Sequence, residues 1–266
     1  MKSLNLLEEK SIFIIREAAR QFKQIGILWS MGKDSTVAVW LCRKAFLGQI
    51  PFPVIHIDTG YKFPQMYAFR DKLAQKWDLN LLVAENKEAK TRGINPQQDK
   101  LECCTTLKTE ALKNLVEEKK IDALILAIRR DEHGIRAKER YFSPRDKNFR
   151  WNHQNQNPEI WEMYTNTSDD RTHTRVHPLL HWTELDVWQY IEKEEIPANP
   201  MYFAKNGQRY RSLGCQPCTH PIKSGARTIR QIIDELKKTK ISERSGRAQD
   251  KEKAFMMQKL RMLGYM

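Results

Sequence analysis

Residues 25–36, Ile25-Gly26-Ile27-Leu28-Trp29-Ser30-Met31-Gly32-Lys33-Asp34-Ser35-Thr36, constrain this chain more than any other stretch. The apolar run Ile25 to Trp29 reads as a buried strand. The chain then turns through Ser30-Met31-Gly32 and continues as Val37-Ala38-Val39-Trp40-Leu41-Cys42, which reads as a helix. A strand that passes into a helix over so few residues points free backbone N–H groups at whatever lies in front of it, and an anion suits them. Gly32 lets the backbone approach the guest, Lys33 adds a full charge, and Ser30, Ser35 and Thr36 add hydroxyls. The natural guest is a pyrophosphate. The spacing is not that of the G-x-x-x-x-G-K-[ST] loop, and only one glycine is present.

The remainder alternates strands with helices. A helical pattern covers 4–22, with Leu7, Ile12, Ile15, Ala18, Ala19 and Phe22 near one face. Pro53-Val54-Ile55-His56-Ile57-Asp58 reads as strand two, 64–77 as helix and Leu79 to Val83 as strand three. Residues 85–100 read as loop, 105–119 as a helix capped by Thr105 or Thr106, and 121–128 as strand four. The polar stretch 143–174 reads as an irregular excursion, followed by a short strand at 175–179. Thr183 reads as the N-cap of a helix whose Asp186 completes a capping box. Further helices are expected at 228–238 and 254–263. Such alternation implies an α/β fold, a parallel sheet with helices on both faces. The character changes near Pro200. We therefore expect a domain at 1–199 and, at 200–266, a mostly irregular or helical extension rich in arginine.

The formal net charge of +13 favours polyanionic partners such as ATP or nucleic acid. No apolar run approaches the roughly 20 residues of a membrane span. The N-terminus alternates acidic and basic residues, unlike a signal peptide, so no membrane and a cytoplasmic location are expected. There, cysteines favour metal or catalysis over disulfides. Cys42 falls inside the first-loop helix and reads as core. Cys103 and Cys104 are adjacent, and Cys215-x-x-Cys218 is a C-x-x-C. Three readings fit that set: a [4Fe–4S] cluster, a zinc ion, or a redox or sulfur-carrying dithiol.

Ser30-x-Gly32-Lys33-Asp34-Ser35 resembles the PP-loop of the ATP pyrophosphatases, and His56-x-Asp58-Thr59-Gly60 resembles a second signature of one branch of that family. Further matching segments are Pro51-Phe52-Pro53, Lys62-Phe63, Ala127 to Glu132, Arg136 to Arg140, Trp182-Thr183-Glu184, Arg211 to Cys215 and Ser242 to Arg247. Together they resemble the small subunits of bacterial sulfate adenylyltransferases, within the phosphoadenosine-phosphosulfate reductase family. The resemblance implies a Rossmann-like adenine nucleotide α-hydrolase (PP-loop) fold, Mg-ATP as substrate and pyrophosphate as product. On this basis Ser30, Gly32, Lys33, Asp34, Ser35, Thr36, His56, Asp58, Thr59, Gly60, Arg244 and Arg247 are the ATP-binding candidates. Lys33, Asp34, Asp58, Arg129 and Arg130 are the catalytic ones, with Asp34 and Asp58 candidate partners of Mg²⁺.

Two departures matter. Cys103, Cys104 and Cys218 replace residues expected in the sulfate enzymes, and the connection from Tyr202 to Arg209 is short. The cysteines resemble those of adenylylsulfate reductases, but no cysteine follows Cys218 to serve as their nucleophile. Both departures fit the ATP pyrophosphatases of bacterial DNA phosphorothioation systems, which adenylate a phosphate oxygen and work beside a cysteine desulfurase. That is the leading expectation, with DNA as a possible partner. Sulfate adenylation beside a GTPase large subunit is the alternative, and a non-catalytic nucleotide- or DNA-binding module is the second alternative.

Overall fold

A computed structural model describes residues 3–134, 136–154, 156–159, 161, 163–164, 171–247, 259–260 and 262–264. Helix α1 (Leu4–Gln21) begins at Ser3, whose Oγ accepts from the Asn5 amide at 3.3 Å. Its buried Leu7, Ser11, Ile14, Ile15 and Ala18 recur at helical spacing. The chain then runs β1 (Ile25–Leu28), α2 (Lys33–Ala45), β2 (Val54–Ile57), α3 (Pro64–Lys76), β3 (Leu81–Ala84) and α4 (Lys87–Thr91). Next come α5 (Lys100–Cys104), a π turn (Thr105–Glu110), α6 (Ala111–Lys119) and β4 (Ala123–Ile125). β5 (Phe142–Asp146), β6 (Arg171–Val176), α7 (Glu184–Lys193), β7 (Gln208–Arg209), β8 (Ile222–Lys223) and α8 (Ile229–Lys238) complete the named elements, with 3₁₀ turns at Pro200–Tyr202, Gln216–Cys218 and Glu243–Gly246.

Six strands form one sheet in the order β3-β2-β1-β4-β6-β5. The first five are parallel, and β5 pairs antiparallel with β6 at the edge. The alternation of strand side chains divides the core. Ile25, Ile27, Val54, Ala123 and Ile125 face the cluster built with α1, α2 and α7. Leu28, Ile55, Ile57 and Leu124 face α6, through Ala111, Leu112, Leu115 and Val116. Each such Leu, Ile or Val contributes about 2 kcal/mol by leaving water. Gly26 lies on the α6 side of the central strand, where an added Cβ would stand 2.5 Å from Ile55 Cδ1. The crowding of the sheet itself requires glycine there.

Several boundaries differ from the sequence reading. The helix expected to start at Thr105 starts five residues earlier, at Lys100, because Asp99 accepts from the amides of Leu101 and Glu102 at 2.7 and 3.0 Å. The polar 143–174 stretch holds most of β5 and the start of β6. Pro144 is compatible with β5 because that strand is an edge. The strand expected at 175–179 ends at Val176, and Pro178 begins a turn. The capping box at α7 is present as expected. Within the extension, Asn206 and Gly207 both have positive φ, 53° and 75°, and close a two-residue hairpin turn between Lys205 and Gln208. The extension also contributes Tyr202, Ala226, Ile232 and Ile233 to the cluster that contains α1 and α2. The helix expected at 254–263 lies mostly outside the described residues.

Candidate active site

β1, β2 and β4 end at one rim of the sheet, where ligands sit in open parallel sheets. There Trp29 leads into Ser30-Met31-Gly32. Met31 holds a φ of 59°, uncommon for a side-chain-bearing residue, and its fully buried side chain fixes it there. Ser35 Oγ accepts from the Ser30 amide at 3.2 Å and donates to the Gly32 carbonyl at 3.1 Å, so the loop is tied to the first turn of α2. An added Cβ at Gly32 would stand 3.4 Å from both Ser30 Oγ and Tyr202 Oη. The loop opens on a cleft of about 180 Å³ lined by Ser30, Gly32, Lys33, Asp34, Ser35 and His56, together with Lys62, Lys108, Glu132, Arg136, Tyr202, Gly214, Glu243, Arg244 and Arg247.

Charge in this cleft is arranged in pairs. The Lys33 ammonium, 2% exposed, meets Asp34 Oδ2 at 3.1 Å and also Glu243 Oε1. Arg129 is wholly buried; its guanidinium reaches Asp34 and Glu243, and donates to Asp131 Oδ1 at 2.9 Å. Burial works against the Lys33 charge, but the Glu243 and Glu184 carboxylates outweigh it and hold its pKa above the ordinary lysine value. Burial likewise opposes the Glu243 charge, yet Arg129 and Lys33 hold that carboxyl below the usual range. Glu132 is clasped by Arg136 and, at 3.1 Å, by Arg244.

The other candidates are distributed around this centre. Thr36 turns away from the cleft and accepts from Trp29 Nε1 at 3.1 Å, which makes it core. His56 is 1% exposed; its Nδ1 lies 3.3 Å from the Trp29 carbonyl and its Nε2 has no partner. Burial, reinforced by Lys62, lowers its pKa to about 4, so it is neutral near pH 7. Asp58 stands just outside the cleft lining and is engaged by Tyr67 Oη at 2.7 Å, the Gly60 amide at 2.8 Å and Lys90 at 3.3 Å. Burial would raise its carboxyl, but those donors hold it below the ordinary value. Gly60 has a φ of 77°. Thr59 Oγ1 lies 3.3 Å from Cys215 Sγ. Arg130 leaves the cleft and stacks over Tyr141, 5.2 Å from the ring centroid.

Sequence reasoning passed over Lys62, Lys108, Glu132, Arg136, Tyr202 and Glu243 as site residues. Lys62, Glu132, Tyr202 and Glu243 are brought in by long-range contacts that no local spacing announces. Lys62 forms a β-bridge with Cys215, and Tyr202 Oη accepts from the Lys33 amide. Glu243 sits inside the Ser242 to Arg247 segment, where the arginines drew the attention. Burial pushes the Lys62 ammonium down to about 8.

Cys103, Cys104, Cys215 and Cys218 are all buried, and Tyr61 packs against both pairs. Cys103 and Cys218 each feel the charge of thiols in the other pair, so the pairs share one neighbourhood. Burial would raise Cys215, but Lys108 and Lys62, the Thr59 hydrogen bond and Arg247 lower it to about 6. Among the described residues no three His, Cys, Asp or Glu side chains are grouped to hold a single metal ion. Cys42 is buried apart from them in the core cluster, as expected.

Residues 24–221 match the family described as the phosphoadenosine phosphosulfate reductase domain. The chain is 42% identical to sulfate adenylyltransferase subunit 2 of Psychromonas ingrahamii, across 98% of this chain and 97% of the relative. That alignment runs over 293 positions, more than this chain possesses, so it opens gaps in this chain. In fold the chain is similar to phosphoadenylyl-sulfate reductase of Candida auris, with a TM-score of 0.56, 17% identity and coverage of 82% of this chain and 96% of the other. It is also similar to FMN adenylyltransferase of Candida glabrata in complex with ATP, with a TM-score of 0.58, 17% identity and coverage of 82% of this chain and 63% of the other. With the loop, the sheet rim and these matches in agreement, the chain belongs to the phosphoadenosine phosphosulfate reductase family.

Proposed function

We propose that this protein is an ATP pyrophosphatase that passes the adenylyl group of ATP to sulfate and releases pyrophosphate. A sulfate oxygen bonds to the α phosphorus as the bond to the α–β bridging oxygen breaks. Negative charge grows on the leaving pyrophosphate; Lys33, which lines the cleft, receives it, with Arg129 buried directly behind as the second cation. Mg²⁺ enters with ATP as part of the substrate. Asp34 and Asp58 are both engaged by protein donors, so neither presents a free carboxylate to it.

One observation above the rest supports sulfate over the DNA acceptor that the sequence put first. Four of the six described arginines of the extension are pinned rather than displayed, and only Arg227 and Arg230 are exposed. Arg209 pairs with Glu235 at 2.7 Å, Arg211 with Glu184 at 2.7 Å and Arg244 with Glu132 at 3.1 Å, while Arg247 is 5% exposed against Gly214. A nucleic-acid backbone needs cations spread over an accessible face. A small dianion needs only a few within a cleft. The relatives named sulfate adenylyltransferase subunit 2 support the same acceptor and a partner subunit, which we take to be a GTPase large subunit. Pyrophosphate release stimulated by sulfate, with and without such a partner, tests the reading. Release stimulated by duplex DNA and indifferent to sulfate would overturn it.

The cysteines favour a second reading, in which a DNA phosphate oxygen is adenylated and sulfur from a cysteine desulfurase replaces AMP. The donor set suits a [4Fe–4S] cluster held by Cys103, Cys104, Cys215 and Cys218. Four buried thiols share one neighbourhood, and Lys62, Lys108 and Arg247 offset the charge of thiolates there. A tetrahedral zinc ion with bonds of about 2.3 Å would draw the sulfurs closer together than a cluster does. A cluster there would supply order to the 214–219 turn. Binding to short duplex DNA whose affinity falls steeply with salt, by about 0.9 log units per phosphate neutralised, would favour this acceptor.

A further inference from the structure

Two carboxylates touch both cations of the proposed leaving-group seat; Asp34 belongs to α2 itself, next to Lys33, whereas Glu243 is brought in from the far C-terminal part of the chain. One of its oxygens meets the Lys33 ammonium and the other meets Arg129 Nη2, and its side chain is 6% exposed. A carboxylate with two oxygens on two cations has the geometry of two non-bridging phosphate oxygens. The segment that holds it is short and anchored at its C-terminal end. Ser242 precedes the 3₁₀ turn Glu243–Gly246, and Arg247 follows it with a β-bridge to Thr219. Arg247 lies so close to Gly214 that an added Cβ there would stand 2.2 Å from the guanidinium. Arg244, one residue on, is tied to Glu132.

We propose that residues 242–247 form a strap whose Glu243 occupies the phosphate seat of the empty enzyme and is displaced by the phosphates of ATP. The inference rests on the reading of Lys33 and Arg129 as that seat. Its consequence is competition: the bare site binds pyrophosphate only in the fraction of molecules whose strap is open, and the apparent affinity is lowered by that fraction. Displacement of Glu243 also moves Arg244 and Arg247, which line the same cleft, so seating of the nucleotide and placement of these two arginines are one event.

The test uses the full chain and inorganic pyrophosphate as probe, followed by calorimetric titration. Glu243→Gln should bind pyrophosphate about tenfold tighter than the wild type, a gain of about 1.4 kcal/mol. Glu243→Asp, which keeps the charge, should not show that gain. Equal or weaker binding by a Glu243→Gln variant with a native circular dichroism spectrum overturns the strap. Should that variant fail to fold, trypsin cleavage of the wild type decides. Pyrophosphate should speed cleavage after Arg244 and Arg247, and unchanged or slowed cleavage overturns the proposal. Lys33→Ala separates the two levels of argument. Pyrophosphate binding that this substitution leaves untouched would sink the phosphate seat itself, and the strap with it. Binding lost in Lys33→Ala but unchanged in Glu243→Gln would sink the strap alone.

Discussion

The backbone N–H of Lys33 donates to Tyr202 Oη at 2.8 Å, across 169 positions of sequence. An amide at the N-terminus of α2, a group that an anion-binding turn leaves open, is thereby held by the 3₁₀ turn that opens the C-terminal extension. Tyr202 is 1% exposed, so the bond is dry. Tyr202→Phe should cost roughly 1 kcal/mol of stability. Urea denaturation measures it, and an unshifted midpoint would show that water or another group takes the place of the hydroxyl.

Lys33→Ala removes the buried cation of the loop. Turnover of ATP should fall roughly 100- to 1,000-fold, the usual consequence of deleting one donor to developing charge. Chromatography of the wild-type reaction should give AMP and pyrophosphate. ADP as the main product contradicts adenylyl transfer.

Arg211 and Glu184 form a buried pair, with guanidinium contacts at 2.7 and 3.2 Å and a further donation to the Ile241 carbonyl at 2.6 Å. Arg211→Ala strands the Glu184 carboxylate and should cost roughly 3–5 kcal/mol. Combining Arg211→Met with Glu184→Gln should recover much of that loss. A Tm that Arg211→Ala leaves in place would show that the pair does not hold the fold together.

His56 gives the acid limb of stability a defined contributor. Its pKa falls from 6.5 to about 4 on folding. The unfolded chain therefore takes up the proton first as pH drops. Stability from this residue is complete above 6.5, declines between 6.5 and about 4, and levels off below, a loss of roughly 3 kcal/mol at most. Denaturation across that window should show a shallower decline for His56→Gln than for the wild type. Parallel curves would mean that the imidazole is protonated in the folded state as readily as in the unfolded one.

Anaerobic reconstitution with iron and sulfide tests the cysteine set. Visible charge-transfer absorption should appear in the wild type and in Cys42→Ser, and be lost in Cys103→Ser and Cys218→Ser. Its retention in either of the last two would remove that residue from the ligand set.

Much of the α/β alternation was legible because most parallel strands are apolar runs bounded by turn residues, and because Thr183 announces α7 as its cap. β5 was not legible. Phe142-Ser143-Pro144-Arg145-Asp146 carries a proline and two charges, and it persists only as an edge whose Arg145 is neutralised by Glu139 at 2.9 Å. At the site, the loop residues Ser30 to Ser35 could be read because they are contiguous. Glu243 and Tyr202 could not, since their role is set by the fold returning them to Lys33. Nor could the arginines of the extension be sorted from spacing, because whether a cation is displayed or clasped depends on which carboxylate the packing delivers. Thr36 misled for the opposite reason: contiguous with the loop, it faces inward.

The π turn between Cys104 and Ala111 makes the length of that helix carry information. Cys103, upstream, and Leu107, within the turn, pack with Ala89; downstream, Ala111, Leu112, Leu115 and Val116 pack on the sheet. A wide turn absorbs a residue that an ordinary helix has no room for. Deleting one residue from Thr105–Glu110 would therefore let the turn close to an ordinary helix with its two halves still in phase. Deleting Lys113 instead, beyond the turn, would at 3.6 residues per turn rotate Leu115 and Val116 by about 100° off the sheet while Cys103 stayed in place. Substitutions in this segment are a matter of chemistry, whereas insertions and deletions are a matter of phase, and the wide turn is the place where a change of one in the count leaves the two halves in step.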